Sequence, residues 1–85
     1  MATKELTDRV KAAGDELVRI TAEVKSLEEA LRTEEFLVVD QDVIPAESKK
    51  TLQDLIVALN RARAERERIQ NDYNTLVAEF KQLET

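Results

Sequence analysis

Two stretches of this chain hold the residues best suited to chemistry. Asn60-Arg61-Ala62-Arg63-Ala64-Glu65-Arg66-Glu67-Arg68 brings four arginines together, and arginine is the side chain that grips phosphate bidentately. Asp40-Gln41-Asp42, with Glu34 and Glu35 just before it, offers the hard oxygen ligands that calcium prefers. Each has a plainer explanation. The arginines alternate with acids, no aromatic is interleaved to stack on a base, and the whole chain carries a net charge of −5. That pattern describes a solvated, ion-paired helix face. A calcium loop needs Gly at its sixth position, but counting from Asp40 the fifth and sixth residues are Ile44 and Pro45. That pattern describes a polar turn.

Other chemistries lack their residues. There is no His to act as a base and no Cys to act as a nucleophile, so zinc and other transition metals find no suitable ligands. A single Gly rules out a glycine-rich phosphate loop. Carboxylates on solvated faces have no physical reason to move towards a catalytic pKa. The expectation is a non-enzymatic protein with no catalytic, cofactor-binding or metal residues and no cofactor. Net negative charge argues against nucleic acid and anionic membranes as partners. The longest apolar run, Leu55-Ile56-Val57-Ala58-Leu59, is far too short to span a bilayer. The opening MATKELTDRV has no hydrophobic signal region, which with the lack of Cys predicts a cytoplasmic protein.

The elements that carry these residues follow from apolar spacing. Apolar side chains recur at 6, 10, 13, 17, 20, 24, 27, 31 and 38, in steps of four and three that only Glu34 interrupts. A second series runs through 52, 55, 59, 62, 66, 69, 73, 76, 80 and 83, with Arg66 its one charged member. Both are the narrow seam of a coiled coil. The predicted fold is all-α: one domain over residues 1–85, a two-helix antiparallel coiled-coil hairpin that dimerises into a four-helix bundle. Helices are expected over about 4–36 and 46–83, with a bend at 37–45. Thr3 or Thr7 is expected to cap the start, and Gly14 to weaken the first helix by about 1 kcal/mol relative to Ala. The run Phe36-Leu37-Val38-Val39, with its two β-branched valines, should end that helix, and Pro45 should open the next. A short strand pair through Asp40-Gln41 is the less favoured form of the bend.

A short connection makes the helices antiparallel neighbours, which fixes two candidate registers. If facing positions sum to 86, Ala13 meets Tyr73 and Val24 meets Ala62, so small residues lie opposite large ones. A sum of 79 tightens the bend and leaves Phe80 and Leu83 without partners. In the preferred register Arg66 faces Ile20 and could reach Glu16 or Glu23, a register-setting group of three.

Several apolar residues have no place in the seam. Phe36, Leu37, Val39, Val43 and Ile44 lie in the bend, with Ile56 and Val57 just beyond it. Either the bend folds back over Ile56 to close a small core, or these side chains are a surface for self-association or for another protein. The function predicted is a protein-interaction module that self-associates, as a dimer, and binds a partner through its apolar tip or a helix face. In architecture the tail-like IQNDYNTLVAEFKQLET resembles phage scaffolding and tail-assembly chaperone proteins, and the chain's size is similar to that of secretion-needle subunits and their chaperones. It carries no motif of theirs. An assembly chaperone or scaffold is therefore the alternative, and an acidic inhibitor mimicking nucleic acid a second one.

Overall fold

A computed structural model of the chain describes residues 3–39 and 44–84, with Glu84 described by its backbone alone. Among them are two α-helices and no strand: α1, Thr3–Val38, and α2, Ala46–Glu84. The strand pair considered for Asp40-Gln41 lies outside the described residues.

The helix ends correct two expectations. Thr7 does not cap α1: it lies inside the helix and its hydroxyl donates to the carbonyl of Thr3 at 2.9 Å, while Thr3 is the helix's first residue. The run Phe36-Leu37-Val38-Val39 does not stop α1 at position 36 either. The helix continues to Val38, whose side chain is buried at the next seam position. Helix propensity costs Val a few tenths of a kcal/mol, whereas burying it gains roughly 1.5 kcal/mol or more, so packing wins. On the far side of the bend, the carbonyl of Pro45 accepts the Lys49 N–H at 3.1 Å and closes the first turn of α2. Proline has no N–H to lose at that junction.

α2 returns alongside α1 as a helical hairpin. Gly14 lies opposite Tyr73, Arg19 reaches Glu65 and Glu28 reaches Arg63, so numbers that rise along one helix fall along the other. These pairs sum to 87, 84 and 91, near the preferred 86. A register of 79 would put Gly14 level with residue 65, eight residues or about 12 Å from Tyr73. The molecule is a rod of 63 × 16 × 14 Å.

Every buried side chain among the described residues belongs to the two apolar series: Leu6, Ile20, Val24 and Val38 on α1, and Leu59, Ala62 and Ile69 on α2. Ile20, Val24, Leu59, Ala62 and Ile69 form one cluster near the middle of the rod, with Leu17, Leu27 and Leu31 packed against it. No buried polar side chain interrupts them. Leu83 departs from its series and is exposed. In this register it stands level with Thr3, the first described residue of α1.

Candidate interaction surface

The residues singled out at the bend divide into three groups. Phe36, Leu37 and Val39 are exposed, at 77, 60 and 67 %. Ile56 and Val57 on α2 are about half exposed. Ile44 is half-buried, and Val43 lies outside the described residues. The helical repeat accounts for the first group. Val38 points into the seam, so Phe36, two residues earlier at 100° per residue, is turned about 200° away onto the outer face. Val39 is the first residue past the end of α1 and faces water, while Leu37, one residue before Val38, lies on one flank of the seam. Ile56 and Val57 directly follow Leu55, which is half-buried in the second series. The bend end thus carries five exposed large apolar side chains, four on the two helices and Val39 just past the end of α1, whereas Val18 and Leu83 are the two found elsewhere among the described residues.

The electrostatic arrangement centres on a residue the sequence reading overlooked. Arg19 donates to Glu16 at 3.1 Å, to Glu23 at 3.2 Å and, across the hairpin, to Glu65 at 3.4 Å. The hydrogen bond and charge of Glu16, with smaller help from Glu65 and Glu23, raise the guanidinium's pKa above its ordinary value despite some desolvation. Spacing could have found the first two contacts, because Glu16 and Glu23 stand three before and four after Arg19 on one helix face. The third needed the register. Glu16 and Glu23, expected near Arg66, are therefore engaged by Arg19. Arg66 itself is half-buried, joins no ion pair among the described residues, and borders an open groove with Arg63, Glu67, Gln70 and Asn71.

The remaining arginines of the cluster behave as members of a solvated face. Arg68 pairs with Asp72 one turn on, at 3.4 Å, and Arg63 reaches Glu28 at 3.8 Å. All of these ion pairs are roughly half exposed to water, so each contributes little to stability. A shallow groove on the Arg63 side has Leu31 and Leu59 on its floor and Glu28, Arg32, Glu35 and Arg63 around its rim.

No group of three ligand-type side chains comes together among the described residues. Asp40 and Asp42, weighed as cation ligands, lie outside them. No described helix is long and apolar enough to cross a membrane. Chemically, the arrangement can bury apolar area against another surface and match charges around it; the grooves along the rod are open rather than enclosed. No protein-family model, curated protein or solved structure matches this chain.

Proposed function

We propose that this chain is a non-enzymatic, cytoplasmic protein-interaction module: an antiparallel coiled-coil hairpin that self-associates through its arms and binds a partner protein at its apolar tip. The observation that carries this reading is the gathering of Phe36, Leu37, Val39, Ile56 and Val57 at one end of the rod. Large apolar side chains scattered singly are ordinary on a protein surface, but several at one end mark a contact.

Surface area supports association as well. The hairpin exposes 6526 Å². A compact folded chain of 9.7 kDa exposes roughly 5,100 Å² on the size scaling of monomeric proteins. Pairing two hairpins into a four-helix bundle would cover much of the excess and bury the half-exposed seam positions Val10, Leu52, Leu55 and Leu76 more deeply. The same tip also suits an assembly chaperone, which covers a partner's apolar segment until that segment is built into a larger structure.

Light scattering at several concentrations tests self-association: the mass should exceed 9.7 kDa and rise with concentration. A constant monomer mass removes that half of the proposal. Phe36→Ser with Val39→Ser tests the tip, because both side chains already face water and their loss leaves the fold intact. Affinity purification from the native host with and without these substitutions should recover one protein that the double variant loses. A chaperone would release it when the assembly forms, and an adaptor would stay bound.

A further inference from the structure

We infer that the bend end of the hairpin docks a cationic, amphipathic segment of a partner protein rather than a second copy of this chain. The inference rests on the tip reading above and adds the chemistry of the occupant.

The charge distribution carries it. Between residues 27 and 58 the described part of the chain holds six acids, Glu28, Glu29, Glu34, Glu35, Glu47 and Asp54, against Arg32, Lys49 and Lys50. By sequence Asp40 and Asp42 add two more, so eight acids stand against three bases. That difference is the whole net charge of −5, and the remaining residues hold ten acids and ten bases. The arms are balanced and the bend end is not.

Ion pairing widens the contrast. In the arms Glu16, Glu23 and Glu65 share Arg19, and Asp72 has Arg68. Of the six described acids at the bend end, Glu28 alone joins an ion pair, with Arg63 at 3.8 Å. Glu29, Glu34, Glu35, Glu47 and Asp54 thus share the stretch that holds the exposed apolar residues and join no ion pair among the described residues.

An occupant has to satisfy both features. A second copy brings another −5 to the same contact, at separations shorter than the roughly 8–10 Å over which salt screens charge. A small cation neutralises the carboxylates but leaves Phe36 and Val39 bare. A segment with an apolar stripe flanked by Lys or Arg covers the apolar side chains, and its charged ends reach the carboxylates. A cation beside the exposed Phe36 ring gains further from the ring face.

The experiment uses two synthetic 18-residue helical peptides with the same leucine stripe, one carrying lysine and the other glutamate on its polar face. Binding to the full chain is measured by fluorescence anisotropy at low and at high salt, and located by amide chemical shifts. The expected result is that the lysine peptide binds, shifts amides in 32–39 and 44–57, and weakens as salt rises, while the glutamate peptide binds at least about tenfold more weakly. Glu29→Lys with Glu35→Lys should weaken the lysine peptide about tenfold, whereas Asp15→Lys with Glu79→Lys, the same charge change in the arms, should leave it within about threefold. Equal binding of both peptides, no binding of the lysine peptide, or shifts confined to the arms would overturn the inference. So would a dimer that the Phe36→Ser, Val39→Ser variant abolishes. The two readings fail differently: loss of binding in the serine variant with none in the bend-end lysine variant keeps the tip and removes the cation. Unchanged lysine-peptide binding in the serine variant removes the tip itself.

Discussion

The middle of the rod and its bend end hold apolar side chains of similar size in opposite circumstances. Ile20 and Val24 are wholly covered, with Leu59, Ala62 and Ile69 closing around them, while Phe36 and Val39 lie mostly in water. Hydrophobicity alone does not separate these groups. Position in the helical repeat does: the covered residues stand on the four-and-three series, and the exposed ones stand off it. With one seam between two helices, Phe36 and Val39, placed off it, find little cover among the described residues.

Five substitutions break or sharpen that contrast. Ile20→Ala should have the largest effect, a loss of roughly 3 kcal/mol read by urea or thermal unfolding, because it opens a cavity in a fully covered site. Next comes Arg66→Leu, which replaces a half-buried charge in the seam with an apolar side chain. Melting should shift upwards by the equivalent of about 1–2 kcal/mol, while cross-linking between engineered cysteine pairs shows a second register or oligomer. A fall in stability with unchanged register would show that Arg66 supports the fold in another way. Gly14→Ala should stabilise by about 1 kcal/mol in the same unfolding assay. Its added methyl would sit 3.7 Å from the Tyr73 ring, an ordinary contact, so nothing has to move.

The two smaller effects bear on the surface. Phe36→Ser should change unfolding free energy by no more than about 0.5 kcal/mol. If it cost as much as Ile20→Ala, the bend end would be a second core and the contrast with the middle of the rod would vanish. Arg19→Gln should alter melting least, with a difference that disappears at 1 M salt, since the three carboxylates it engages are all about half exposed.

Much of the fold is written in the spacing. The two series contain all seven buried residues among those described, and the small-against-large layers pointed to the register in which Gly14 meets Tyr73. The end of α1 was placed two residues early because propensity was weighed there without the burial of Val38. Leu83 was assigned to the seam because periodicity continues to it, although its side chain is exposed. For the surface, the sequence supplies the apolar residues near the bend but does not say which face water. That came from the phase of Val38, which turns Phe36 outward. The Arg19 cluster was half legible from its spacing on α1; Glu65 required knowing which residues the hairpin brings level. The concentration of negative charge between residues 27 and 58 needs only counting, yet it acquires meaning once the exposed apolar side chains are located there.

The long, thin outline has a consequence for the bench. The radius of gyration is 18.9 Å. A compact single domain reaches that value only at about 290 residues. On a gel-filtration column calibrated with spheres, a lone hairpin will emerge well ahead of its true mass and resemble a small oligomer. Elution volume therefore overstates assembly for this protein, and sedimentation or scattered light must supply the mass.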